Sequence, residues 1–308
     1  MKSRWQRILA GIGVGVLALV AAAGAWVLFQ VRAYDASVER VYDVPVPQQV
    51  VRSTDPAVLE RGDHLARSLG SCANSECHGS NLAGGHPLQL GPLGTVIGPN
   101  ITPGPGSAAA AYSDGELVRL IQHGIKRDGR SVQFMPCHEF GWMPGPEVMA
   151  IVSYVRSVPP VDQTSGKSSL GTLAKVLDRT GQVTVDVARK IDHTRPTDAP
   201  ITPEPTAAYG AYLARGCGTC HGQGLSGGRI PGAPASMATP ANLTPDSTGL
   251  EKWTFDDFSK VLDTGIRPDG RKLSPDMPYE NLSKTNLLER RALWAYLRSL
   301  PPRPFGNR

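Results

Sequence analysis

Large rings are scarce in this chain of 308 residues, where Phe, Trp and Tyr together make up 6% against 40% for apolar residues as a whole. The apolar share is enough for packed cores, and the composition is neither that of a disordered chain nor that of a collagen. Cysteine is limited to five residues and only one pair is spaced C-x-x-C, so a zinc site of the paired-dithiol kind lacks its second half. No alternating apolar/polar run marks a strand, so the β-α-β context of a thioredoxin-type dithiol is missing too. Net charge is also small once it is partitioned. Residues 1–32 hold four bases and no acid, leaving 28 bases against 27 acids for the rest. The basic pI therefore reports the N-terminal segment and gives no support to a nucleic-acid partner.

That segment contains the one long uncharged run. Ile8 to Val31 spans 24 positions, and at about 1.5 Å per residue a helix of that length crosses a bilayer's hydrocarbon core. Lys2, Arg4 and Arg7 precede it, so the positive-inside rule puts the N-terminus in the cytoplasm and everything beyond Arg32 on the far side. Ala21 to Ala25 offer small residues to a signal peptidase. Yet the run continues through Trp26, Val27, Leu28 and Phe29, longer than a signal h-region of about 7–15 residues, which favours a retained single-pass anchor over residues 1–32.

Cys217-Gly218-Thr219-Cys220-His221 reads C-x-x-C-H, the pattern in which two thiols capture the vinyl groups of a c-type haem and the adjacent histidine ligates its iron. The anchor places this motif outside the cytoplasm, where haem is attached; for a bacterium that is the periplasmic face of the inner membrane. A large flat cofactor also suits a chain short of aromatic core residues. An echo lies upstream, where Cys72 and Cys77 stand with four residues between them and His78 comes next. The wider spacing still reaches both vinyls if the intervening residues loop out. Attachment through Cys77 alone, with Cys72 in a disulfide to Cys137, is the alternative.

Superposing the two motifs also brings most of the downstream sequence into register, the signature of an internal duplication. Asn100-Ile101-Thr102-Pro103 pairs with Asn242-Leu243-Thr244-Pro245, Met135-Pro136 with Met277-Pro278, and Tyr154-Val155-Arg156-Ser157-Val158-Pro159-Pro160 with Tyr296-Leu297-Arg298-Ser299-Leu300-Pro301-Pro302. Each Asn is expected in a turn or at a haem propionate. Helix signals recur at matching places. Ser113 with Glu116 and Thr254 with Asp257 form capping boxes, and Gly124 and Gly265 sit where left-handed C-caps belong. The helices so bounded place Leu117, Leu120 and Ile121, or Phe258, Val261 and Leu262, on one face. The last helix of each unit should bury Ile151, Val152 and Val155, or Leu293, Trp294 and Leu297, and a double proline stops it. A further short helix is expected around Leu65 and around Leu213. The expected fold is all-α: the anchor, a spacer over 33–54, one domain over 55–160, a linker or strap over 161–205, a second domain over 206–303 and a tail over 304–308.

The iron face opposite each histidine needs a second ligand. Met135 and Met277 lie 57 and 56 residues after His78 and His221, each before a proline, and a thioether favours ferrous iron. The core role open to any methionine is weakened by their matching positions. His123 and His138 are alternatives to Met135. Met143, Met149 and Met237 have no counterparts and read as packing. Cys137 stands in the place of Tyr279.

With Gly-Ile-x-x-Asp-Gly-Arg at 124–130 and 265–271 added to these motifs, each unit resembles a class I cytochrome c domain, and the whole of residues 55–303 resembles the cytochrome c subunits of membrane-bound alcohol and sugar-acid dehydrogenases. Those subunits commonly have three haem domains; this chain shows two motifs, the first of them stretched. The resemblance implies two haem c groups, held by Cys72, Cys77, Cys217 and Cys220, with His78/Met135 and His221/Met277 as axial pairs. It also implies single-electron transfer in a respiratory chain, the redox partner being a dehydrogenase, a quinol-oxidising complex, a terminal oxidase or a soluble carrier. The chain would then be an electron carrier with no open iron site and no catalytic residues. A dihaem enzyme, a peroxidase or thiosulfate-oxidising cytochrome with a modified first site, is the rival reading.

Overall fold

Helices dominate a computed structural model of the chain, which describes residues 4–48, 50–139, 141–197, 199–230, 233 and 236–308. Lys2 and the side chain of Arg7, both used above to orient the anchor, lie outside the described residues. Helix α1 runs from Arg4 to Val38 and leaves its apolar side chains exposed over most of its length. Among the described residues it is the one helix long and apolar enough to cross a membrane.

The first repeat is built from α2 (Pro56–Arg67), α3 (Asp114–His123) and α4 (Gly145–Ser157). Then come α5 (Thr172–Arg179) in the connecting segment and, in the second repeat, α6 (Ala207–Leu213), α7 (Cys217–His221), α8 (Phe255–Thr264), α9 (Tyr279–Leu282) and α10 (Leu287–Ser299). The caps agree with the sequence signals. Ser113/Glu116 and Thr254/Asp257 make reciprocal capping boxes, and Gly124 and Gly265 end their helices at φ 64° and 66°.

In each repeat the first helix crosses the last at a glycine. A Cβ on Gly62 would lie 2.0 Å from the carbonyl oxygen of Ala150, and one on Gly210 would lie 1.9 Å from that of Ala292. Only a residue without a side chain permits so close a backbone approach. Leu65, Val148, Ile151 and Val152 close this crossing in the first repeat, and Leu213, Ala292, Leu293 and Leu297 in the second. Trp294 is half-buried against Phe258 with the Arg298 guanidinium over its ring, so the expected burial of that indole is only partial. Leu120 and Ile121 are half-buried as well.

The apolar residues of the two crossings form a single core. Where the repeats join, Arg61 contacts Glu147 of its own repeat and Glu289 of the other, at 3.0 and 3.1 Å, and the Tyr209 hydroxyl at 3.3 Å. His64 reaches the second oxygen of Glu289 at 2.7 Å. Trp142 and Tyr212 meet edge to face at 4.8 Å beside this cluster.

Two expectations are revised. A small antiparallel sheet is present, β1 (Pro87–Gln89), β2 (Gly94–Ile97) and β3 (Ser169–Leu170), in the order β1-β2-β3. These strands are too short for alternation to register in the sequence. The 33–54 segment, expected to be a spacer, is partly the end of α1 and partly a strand of chain laid on α3. Arg119 donates to the Val44 carbonyl at 3.2 Å, and Gly115 makes room for the Pro47 carbonyl. The connecting segment behaves as a strap on the first repeat: β3 pairs with β2, and Val185, Val187 and Ala188 are buried.

Gly210→Ala should lower stability by about 1–3 kcal/mol, whereas Gly216→Ala, whose added methyl meets nothing within 4 Å, should leave the denaturation midpoint unchanged. Burial alone would raise the pKa of Glu289, but bonds from His64 and the Asn286 backbone, with the Arg61 charge, hold it below the ordinary carboxylate value. Its folded-state pKa is depressed, so its contribution is present above an unfolded-state pKa of about 4.3 and is lost as pH falls through the folded value. Acid titration should therefore loosen the junction between repeats, seen as two thermal transitions in place of one, and Glu289→Gln should remove that pH dependence.

Candidate haem sites

The C-x-x-C-H motif of the second repeat forms a helical turn, α7. Positions i, i+3 and i+4 of such a turn share one face, which puts Cys217, Cys220 and His221 on the same side. His221 is 6% exposed, and its Nδ1 donates to the Ala241 carbonyl at 2.7 Å. A carbonyl only accepts, so the proton sits on Nδ1 and Nε2 carries the lone pair. Burial, against the opposing pull of that carbonyl, pushes the imidazole below its ordinary pKa, so it is neutral at pH 7.

The first motif reaches the same result by another route. Residues 72–78 form successive turns instead of a helix, and the loop closes where the His78 amide donates to the Cys72 carbonyl at 3.1 Å. The two additional residues loop out within that closure. His78, 9% exposed, donates Nδ1 to the Pro99 carbonyl at 2.8 Å, and burial likewise lowers its pKa.

Each accepting carbonyl packs closely against a left-handed glycine. Gly84 (φ 62°) and Gly227 (φ 70°) accept no Cβ: one would stand 2.5 Å from the Pro99 oxygen in the first case and 2.5 Å from the Ala241 oxygen in the second. Their amides donate back to His78 and His221 at 2.7 and 2.9 Å. Leu82 and Leu225, both at positive φ, continue the same turn and accept from Ile101 and Leu243. Asn100 and Asn242 are turn residues, as one of the two expectations had it. Each Oδ1 takes the amide of Thr102 or Thr244 at 2.9 Å, and each Nδ2 binds the chain beyond the double proline, at Val161 and Gln163 or at Arg303. The Leu-x-Gly-Gly pair at 82–85 and 225–228 was absent from the sequence expectations. The same alignment that paired the histidines, extended by a few residues, exposes it.

Met135 and Met277 occupy equivalent turns, their amides donating to Gln133 and Ser274 and their carbonyls accepting from Cys137 and Tyr279. Both are half-buried. Cys137 takes the place of Tyr279 spatially too: its Cβ lies 3.5 Å from the site of a Cβ on Gly124, and the Tyr279 ring covers Gly265. His123 faces His193, Nδ1 to Nδ1 at 3.3 Å, and His138 pairs with Glu139. Met143 is buried in the core.

All five cysteines are free thiols, including Cys72 and Cys137. Burial pushes Cys72 up to about 12 and Cys217 up to about 11, and raises Cys77 and Cys220 as well, so at neutral pH none is a thiolate. Among the described residues no three His, Cys, Asp or Glu side chains gather to hold a bare metal ion. The donor set, one neutral imidazole with Nε2 free beside two unionised thiols, fits a metal that arrives in its own macrocycle and is fixed by thioether bonds.

No protein-family model matches the chain. The chain is 29% identical over 81% of its length to the cytochrome c subunit of the quinone alcohol dehydrogenase of Gluconacetobacter polyoxogenes, of which it covers 57%. It is 28% identical over 68% of its length to the cytochrome c subunit of gluconate 2-dehydrogenase from Pantoea cypripedii, covering 51% of that protein. It is 25% identical over 75% of its length to a diheme cytochrome c-type protein of Cereibacter sphaeroides, covering 82% of it. The chain thus spans about half the length of the curated dehydrogenase subunits it matches. Its relatives are cytochrome c subunits of dehydrogenases, in agreement with the resemblance read from the motifs.

Replacing Gly227 by alanine is expected to displace the Ala241 carbonyl and to cost the second site its histidine orientation. The His221 Nδ1 proton should then lose the hydrogen-bonded shift it shows by nuclear magnetic resonance, and Gly84→Ala should do the same to His78.

Proposed function

We propose that this chain is a membrane-anchored dihaem c-type cytochrome of two class I domains, over residues 55–160 and 206–303, that relays single electrons outside the cytoplasm. The observation that carries the reading is the way the two motif regions meet. The Thr219 hydroxyl, inside the second C-x-x-C-H, donates to Glu139 of the first repeat at 2.7 Å. Asn281, four residues after Met277, donates to Ser71, the neighbour of Cys72, at 3.0 Å. Each motif therefore touches the segment just beyond the other repeat's methionine.

Cys72, Cys77, Cys217 and Cys220 would hold the two groups covalently, with His78 and Met135, and His221 and Met277, as axial ligands. Haem c so bound supplies a one-electron ferric/ferrous couple. The protein's part is to fix the imidazoles by their Nδ1 bonds, to keep water from the buried histidines, and to hold the two sites together through the shared core. Glu139 sits at the junction as a carboxylate. Burial would raise its pKa, but hydrogen bonds from His138 and Thr219 hold it below the ordinary value.

The relatives' names supply the class of partner, a dehydrogenase whose electrons this chain would pass on to a quinol-oxidising complex, a terminal oxidase or a soluble carrier. The name of the diheme relative, covered to 82%, supports two haems. A single-pass α1 would hold both units at the periplasmic face of a bacterial inner membrane.

Purified from a host able to attach haem, the chain should show the mass of two covalent haems and two low-spin signals in the oxidised paramagnetic spectrum. Cys217→Ser with Cys220→Ser should remove one haem and leave the first. A high-spin or thiolate component in the parent protein would instead favour the dihaem enzyme.

A further inference from the structure

The two methionine loops are equivalent in sequence but not in their surroundings. In the second repeat, the bonds described for residues 272–277 all come from within that repeat, with Leu273 donating to Gly265 and Lys272 bridging to Ile266. Ser274 and the Ala238 amide donate to Asp276, and nothing described from the N-terminal or connecting segments covers the loop. In the first repeat two further layers lie on it. The strap comes first: Gln133 bridges to Asp186, the Phe134 amide donates to Val185 at 3.2 Å, and the Ala188 amide donates to Ser131 at 2.9 Å. Asp178, fully buried and paired with Arg189 at 2.7 Å, fixes that stretch by accepting the amides of Val185 and Asp186.

The second layer is the end of α1. Tyr34 is 1% exposed, and its hydroxyl accepts from Gln133 Nε2 at 3.1 Å. Ser37 donates to the buried Asp186 carboxylate, and Asp35 pairs with Lys175 of α5 at 2.7 Å. Glu39 and Val41, just beyond the helix, hold Arg130. Phe134, adjacent to Met135, is kept at φ 66°, a conformation a phenylalanine adopts only when its surroundings impose it.

We propose that the last two turns of α1, acting through the strap, position the Met135 loop, so that the anchor helix is a structural part of the first haem site as well as its tether. Tyr34 and Ser37 are positioning residues in this arrangement. The inference rests on Met135 being the axial ligand of the first site.

The test uses the full-length, haem-loaded protein in detergent, titrated with imidazole in the ferric state. Imidazole competes with a methionine for iron, so its affinity reports how firmly each loop holds its ligand. Met135→Leu and Met277→Leu assign the two phases. Tyr34→Phe combined with Ser37→Ala removes two hydrogen bonds and should tighten imidazole binding at the first site about tenfold, leaving the second site's affinity at its parent value. The second phase and the mass of two haems serve as internal controls of folding. Tyr34→Phe alone, which deletes a single hydroxyl, should move the first phase in the same direction by a smaller factor. A first phase within about twofold of the parent in both variants would overturn the inference. A Met135→Leu protein with both phases unchanged would overturn the ligand assignment, and the inference with it.

Discussion

Two helices crossing at a glycine set the geometry on which everything else in each repeat depends. Gly62 against Ala150 and Gly210 against Ala292 bring backbones closer than any side chain would allow. The first helix leads into the cysteine motif and the last comes after the methionine turn, so the depth of the crossing fixes how far apart those two stretches lie. A methyl group there would push the helices apart and widen the site with them.

Around that crossing a second constraint orients the chemistry. A buried histidine with one nitrogen tied to a carbonyl has one tautomer and one ring plane, and the carbonyl in turn lies where only a glycine leaves it room. Non-glycine residues at positive φ stand in these turns at Leu82 and Leu225, and elsewhere at Ser71 beside the first cysteine motif and Phe134 beside Met135. The same arrangement is reached with a helical turn in one repeat and an irregular loop in the other. What is shared is the outcome at His78 and His221 and not the local fold that delivers it.

Much of this was legible in the sequence because it is local. Capping boxes, left-handed C-caps, the short helices around Leu65 and Leu213 and the long apolar helix each depend on residues within a few positions of one another. The turn role of Asn100 and Asn242 was anticipated as one alternative of two. What could not be read was long-range. Nothing in residues 33–54 announces that they lie on α3, and the strap's strand is two residues long. Glu289 reads as an ordinary helix N3 residue, yet it also receives Arg61 and His64 from more than two hundred residues away. The equivalence of Cys137 and Tyr279 was visible from the alignment, whereas the free state of Cys72 and Cys137 required coordinates.

The junction brings together equivalent positions of the two repeats, Arg61 with Tyr209 and both with Glu289, as a symmetric homodimer does when each partner offers the same patch to the other. Two identical centres in such a dimer are degenerate: an electron gains nothing by moving from one to the other. Joining the copies in one chain lifts that restriction, because a segment that exists once can be laid against one copy only. The part of the connecting segment that carries β3 and residues 185–188 does this, pairing with β2 and lying on the Met135 loop of the first repeat. A duplicated fold thereby acquires a polarity that neither half possesses alone.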